Sequence, residues 1–451
     1  MFFLGSSLLI ICFLSFWYLW IVDSRFSWII TPFLLFAVLE MTVLWPSVIY
    51  AYYRGLSRDA YPMVVTALAF ACFLAGFATF RWLRLGQARS PKGFLVSPLE
   101  MPLSQTRYIV AITLTTIVLL GMGVYLYRGI PPFIKYLLGW APAETTHFVS
   151  ESRKLFTKSH YFGGEYRGQG LIRSFMGVGW PFLVAISLTI YDKTKKKCWL
   201  LVTLFFLLLS FVFVAGDGTR APFIFAMLCI LIVISMIRRL RISYYLLIII
   251  GLFVITIGLS LASGKIIYGE QNRDITFAMQ KILKRISVDN GINSASVIEF
   301  VRSGILDLRG GEVHWEKVLN ALPGAHYSKL PFSHELSHLL GKKSETSFSS
   351  TTYMGTIYVD FGLAGVITVY TMIGCTIGLV HRILFNGKKT PLRLAVIGFT
   401  TFYLGMMSLN GFVGFISSYI VVIVVYFIFK MAAILQPIFT TTHANTFSAV
   451  A

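Results

Sequence analysis

Residues 193–241 read KTKKKCWLLVTLFFLLLSFVFVAGDGTRAPFIFAMLCILIVISMIRRLR. Two apolar runs flank a short Gly-rich turn, and clusters of Lys and Arg close both outer ends. Each run approaches the roughly 20 residues a helix needs to cross a hydrocarbon core. A helix satisfies its own backbone there, which an open strand cannot do. Lys and Arg in short loops resist translocation, so both basic ends belong on the cytoplasmic side. The GDGTRAP turn is thereby assigned to the opposite side.

The rest of the chain repeats this pattern. It has 451 residues, of which 56% are hydrophobic and 13% charged. A soluble domain carries about 25% charged residues. About eleven stretches are long and apolar enough to span: 3–22, 28–52, 61–83, 107–127, 171–191, 198–216, 220–237, 243–263, 354–380, 391–408 and 411–433. A kink is expected near Pro46 in the second. The first span has no basic segment before it, so it reads as a helix that stays and not as a cleaved signal.

The basic segments RWLRLGQARSPK (81–92), KTKKK (193–197), RRLR (238–241) and HRILFNGKKTPLR (381–393) fall at alternate ends of successive spans. All four therefore fit the cytoplasmic side, with the N-terminus outside and the C-terminus inside. Only the turn bearing Arg54 and Arg58 runs against this pattern. The fold class is all-α: a polytopic transmembrane bundle with two long extracytoplasmic loops. Its regions are N-terminal helices (1–127), a first periplasmic loop (128–170), central helices (171–263), a large periplasmic loop with short helices (264–353), C-terminal helices (354–433) and a cytoplasmic tail (434–451).

A formal net charge of +20 in a soluble protein would suggest nucleic acid. Here much of that charge lies in loops beside spans, so nucleic-acid binding is excluded as a function class. The five cysteines lie in or beside spans with no paired spacing, and read as small packing residues.

The two long loops hold six of the eight histidines: His147, His160, His314, His326, His334 and His338. They also hold Arg153, Arg167, Arg273, Arg285, Arg302 and Arg309. Such groups bind phosphate and move protons, although most loop charges are only solvated surface. In the second loop a helix is expected at 292–303. Trp315, Val318, Leu319 and Leu322 recur at helical spacing and predict an amphipathic helix on the membrane surface or the bundle.

Four motifs carry chemistry. In GDGTRAP, Thr219 can cap the following span, and Arg220 then sits at the positive end of a helix dipole. Such an end binds phosphate, or Arg220 anchors the span at the headgroups. Arg173 lies one turn inside the fifth span, with Arg167 just outside it. An Arg at that depth needs a polar cavity or a partner. Glu40 is an acid within the second span, either functional or paired structurally. In SHELSHLL (333–340), His334, Glu335 and His338 match the H-E-x-x-H zinc-hydrolase pattern. No third ligand is evident although Glu345 is conceivable, Gly341 ends the helix early, and the motif is in a loop; all three weigh against zinc. Without metal, Glu335, His338 and Glu345 remain candidate general bases.

The chain resembles the Wzy-type polymerases, which join lipid-linked oligosaccharide repeat units into O-antigen and related glycans. The resemblance lies in the many spans, the two Arg-bearing loops, the GDGTRAP turn, and the segment from LPG (322–324) through SFSSTTYMGTIYVDFGLAG (347–365). Asp217 stands where that family commonly has a second Gly, and HELSH is not a family element. The resemblance implies an inner-membrane glycosyltransferase acting on an undecaprenyl-diphosphate-linked oligosaccharide. It implies no cofactor and no metal, and a chain-length regulator as a partner besides membrane lipid. Arg220, Arg173, Arg167 and Arg273 are then expected on the diphosphate, with Glu335 or His338 as base. An O-antigen ligase, a lipid-linked oligosaccharide flippase and a membrane zinc metalloprotease remain as alternatives.

Overall fold

The computed structural model describes residues 2–24, 30–55, 59–82, 91–127, 169–216, 220–238, 290–321, 331–341, 349, 351–409 and 419–431, with scattered residues between them. Those residues form helices and no strand. In chain order the helices are α1 (Phe2–Ser24), α2 (Pro32–Leu39), α3 (Trp45–Tyr53), α4 (Tyr61–Trp82), α5 (Pro91–Val96), α6 (Gln105–Tyr127), α7 (Gln169–Thr194), α8 (Lys197–Val214), α9 (Arg220–Ile237), α10 (Asn290–Arg302), α11 (Glu312–Ala321), α12 (Phe332–Leu339), α13 (Tyr353–Phe385) and α14 (Pro391–Gly405). A further apolar helix, α15, covers Tyr419–Met431.

Among the described residues eight helical stretches are long and apolar enough to cross a membrane, and the shorter Pro222–Ile237 and Tyr419–Met431 join them as apolar helices. The protein is a polytopic helical membrane protein. The expected span at 243–263 lies largely outside the described residues. Between α2 and α3 the backbone widens into a π turn over Glu40–Leu44. Pro46 follows at the start of α3. Its missing N–H and its ring displace the ordinary hydrogen-bond ladder, and the π turn absorbs the extra residue.

Among the described residues the buried apolar side chains form three groups: a small one of Val297, Leu306, Val313, Phe332, Leu336 and Val359 at α10–α13, and two larger ones. One surrounds Trp180 and Phe182 of α7 and takes residues from α6, α8, α9 and α14. The other joins α1, α2, α4 and α13 through Phe33, Phe73, Phe77 and Tyr370. Helices α4 and α13 touch backbone to backbone. A Cβ at Gly76 would lie 2.3 Å from the Thr371 carbonyl oxygen, and one at Gly374 would lie 2.2 Å from that of Phe73. In lipid, small residues at a crossing replace hydrophobic drive with close packing.

The basic loops gather at one end. Asp192 at the end of α7 binds Lys195 at 2.6 Å and Arg238 at 2.5 Å. Lys196 donates to Gln105 at 3.2 Å, and Lys388 pairs with Glu100 at 3.0 Å. The α7–α8 loop, the end of α9, the start of α6 and the α13–α14 loop therefore share one end of the bundle. The small helices α10, α11 and α12 pack at the opposite end of α13. All five cysteines are free thiols.

Candidate functional site

The site is built around a break in α13. This helix runs 33 residues, but Gly362 adopts φ 62 and ψ −156. That conformation suits a residue without Cβ. The break divides α13 into Tyr353–Phe361 and a following piece long enough to span by itself. It also frees carbonyls that would otherwise be bonded within the helix. Arg309 N–H donates to the Val359 carbonyl at 3.0 Å and Gly310 N–H to that of Asp360 at 2.9 Å. The chain 309–311 thus follows the end of the first piece, with Gly310 and Gly311 at positive φ.

Asp360 is buried beneath the start of α11. Its carboxylate accepts from Val313 N–H at 3.1 Å and from His314 N–H at 2.9 Å. It therefore caps α11 from another element. The same carboxylate meets His314 Nδ1 at 2.6 Å. The imidazole lies between Tyr353 and Phe361, with ring centroids at 5.4 and 5.7 Å.

One turn along, Glu316 is buried and accepts from Phe332 N–H at 3.0 Å, which ties α11 to the start of α12. Burial raises the Glu316 carboxyl above its usual range. Lys317 donates to Thr356 Oγ1 at 3.0 Å. Burial lowers its ammonium, against the attraction of Glu316 and Asp360. Ser294 of α10 exchanges hydrogen bonds with Thr352 at 2.8 and 2.9 Å. Gly355 permits this approach, since a Cβ there would stand 3.0 Å from Ser294 Cα. At the far end of α10, Arg302 pairs with Asp59 and lies over the Tyr61 ring at 4.7 Å. The hydrogen bond from Arg302 holds the Asp59 carboxyl below its usual range.

SHELSHLL forms the short helix expected of it, Phe332–Leu339. Pro331 occupies its cap position without a side-chain bond. His334 and His338 face each other with ring centroids 4.6 Å apart. Glu335 turns away from them. Both of its oxygens accept from Arg309 Nη2 at 2.6 Å. Arg309 also lies over the Phe332 ring at 5.1 Å. Among the described residues no three metal-ligating side chains converge.

The expected anion-binding residues are placed unequally. Helix α9 begins at Arg220, as the GDGTRAP turn predicts, while Thr219 and the Arg220 side chain are outside the described residues. Arg173 lies in the second turn of α7, half-buried. Arg167, Arg273 and Glu345 lie outside the described residues. Glu335 and His338 share α12 but do not act on one point, because Arg309 holds Glu335. The partner of Glu40 is Tyr370, whose hydroxyl donates to it at 3.0 Å, and not an arginine.

Sequence reasoning did not single out the His314–Asp360 pair. Its signal was present in part, since His314 is one of the loop histidines and Asp360 precedes the FGLAG stretch. A separation of 46 residues hides the contact.

Residues 170–394 match the family model described as O-antigen polymerase. No curated protein and no solved structure matches the chain.

Proposed function

Because the chain belongs to the O-antigen polymerase family, we propose that it joins undecaprenyl-diphosphate-linked repeat units at the outer face of the bacterial inner membrane. The growing glycan passes from its lipid carrier to the terminal sugar of a new lipid-linked unit. The observation that carries this reading is the family match over 170–394, which spans Arg173, Arg220, Arg273 and the α10–α13 cluster.

The chemistry sets two demands. The leaving group is a diphosphate at the membrane surface, and its charge grows as the C1–O bond breaks. Guanidinium groups and a helix N-terminus stabilise that charge most where water is scarce. We assign Arg220 first to this role, at the start of α9, then Arg173, Arg167 and Arg273. No metal is required when arginines meet the diphosphate. The acceptor hydroxyl must also lose a proton to a base. Of the two expected bases, Glu335 would first have to leave Arg309, and His338 is exposed on α12. The family resemblance is also the ground for a chain-length regulator as membrane partner.

The test is deletion of the gene and electrophoresis of the surface glycan, with Arg220→Ala as complementing variant. Collapse of the ladder to core plus one repeat is expected for both, and chelator should not alter polymerisation by the wild type. An intact ladder in the deletion strain would overturn the polymerase reading. Loss of even the single repeat would favour a flippase or ligase.

A further inference from the structure

We propose that His314 is the general base for the acceptor hydroxyl and that Asp360 is its positioning residue. This rests on the polymerase reading and adds a proton-transfer pair to it. His314 stands in the first turn of α11, a position fixed from outside by the carboxylate that caps that helix. With Nδ1 at 2.6 Å from Asp360 Oδ2, the hydrogen of the neutral ring lies on Nδ1 and the lone pair on Nε2. Asp360 cannot swing away, because its two oxygens also hold the N–H groups of Val313 and His314. Tyr353 and Phe361 flank the ring. The side chain is 21% exposed, and Nε2 makes no hydrogen bond among the described residues.

A helix cap alone accounts for the two backbone bonds to Asp360. It does not call for an imidazole at the third. A buried carboxylate that orients one ring nitrogen and leaves the other open is the arrangement of a base that must become an imidazolium and be stabilised as one. Neither rival base has it. Among the described residues no carboxylate orients His338, and Glu335 is occupied by Arg309.

The step balances. The acceptor O–H gives its proton to His314 Nε2, and its oxygen forms a bond to C1 of the donor sugar. The bond from C1 to the diphosphate oxygen breaks, and its electron pair leaves with the lipid diphosphate. The imidazolium then returns the proton to water or to that leaving group. The ionisable groups facing the pair are Asp360 and Tyr353 from α13, and Lys317 from the next turn of α11, which feels the charge of Asp360.

The experiment uses the full chain in nanodiscs, with lipid-linked repeat units extracted from the deletion host. Wild type is measured first; if it neither polymerises these units nor complements the deletion, the polymerase reading itself fails. Given active wild type, His314→Gln should lower kcat by roughly a hundredfold or more, with KM within a few-fold, because general base catalysis is worth about that much. The acid limb of the pH–rate profile should vanish in His314→Gln and shift in Asp360→Asn. His314→Gly should recover part of its rate with added imidazole. Wild-type turnover by His314→Gln would overturn the proposal. So would a folded, inactive His314→Gly that imidazole does not rescue, or loss of the acid limb in His338→Gln with His314→Gln active.

Discussion

Glu335 and Glu40 were both legible as acids in unusual places, and in both the decisive fact is the partner. Glu335 lies in a zinc-like motif, yet Arg309 holds both its oxygens. With the two side chains 23% and 41% exposed, such a pair is worth about 1 kcal/mol or less. Glu335→Gln should therefore cost about 1 kcal/mol in stability, read by thermal unfolding in detergent, and slow polymerisation only a few-fold. A loss of a hundredfold would return Glu335 to the chemistry. Glu40 is fully enclosed and meets Tyr370. Glu40→Gln keeps an acceptor for that hydroxyl and should leave abundance and melting nearly unchanged. Glu40→Leu strands the hydroxyl and should lower stability by about 1–3 kcal/mol. Equal melting of the two variants would show that the hydrogen bond contributes nothing. No spacing rule could supply these partners, because Arg309 and Tyr370 are brought in by tertiary packing.

At the scale of elements, the spans were legible because their lengths and apolar content leave few alternatives. The faces of the short helices were not. The stripe of Trp315, Val318, Leu319 and Leu322 predicts an amphipathic helix on the membrane surface or the bundle, and α11 forms over Glu312–Ala321 with Trp315 59% exposed. The side it buries in the protein is that of Val313 and Glu316. The reason is polar docking: Asp360 takes the first turn of α11, and Glu316 takes the N–H of Phe332. No apolar spacing announces those bonds. Glu316 gives this docking a pH signature. Its carboxyl is raised in the folded state, so the folded chain binds the proton more tightly than the unfolded one. Its contribution to stability is therefore largest below the ordinary carboxyl range and declines as pH rises through the folded value. Glu316→Gln should remove that declining limb while keeping the cap on α12, as unfolding curves at several pH values would show. An unchanged limb would exclude Glu316 as its source. The α4–α13 crossing offers a steric counterpart. Gly374→Ala puts a Cβ against the Phe73 carbonyl, so the helices must separate. A loss of about 1–3 kcal/mol is expected, seen as reduced melting temperature. Gly121→Ala, with nothing within 4 Å of its Cβ, is the matched control.

For the whole molecule, the charge pattern and the packing converge on one arrangement. Positive residues in short loops predict which span ends share the cytoplasm. The structure brings Asp192, Lys195 and Arg238 together, and links Lys196 to Gln105 and Lys388 to Glu100, so these ends do gather. The His314–Asp360 pair sits by the N-terminal end of α13, and the Lys388 loop follows its other end. The piece of α13 that follows the break at Gly362 and ends at Phe385 rises about 35 Å at 1.5 Å per residue, enough for a hydrocarbon core of about 30 Å. Its two ends are then expected on opposite sides of the membrane. The chain supplies its own reporters for this. Cys198 is exposed beside the Lys195–Lys197 cluster, and Trp315 is exposed beside His314. In intact spheroplasts a membrane-impermeant maleimide should leave Cys198 unlabelled until the membrane is opened. Trp315→Cys in a Cys198→Ser background should label at once. The opposite order would invert the protein and move the His314 site to the cytoplasm. Labelling of both from one side would mean that α13 does not cross. Inversion, or labelling of both only after the membrane is opened, would separate the site from a lipid-linked acceptor on the outer face, so this measurement bears on the chemistry as much as on the topology.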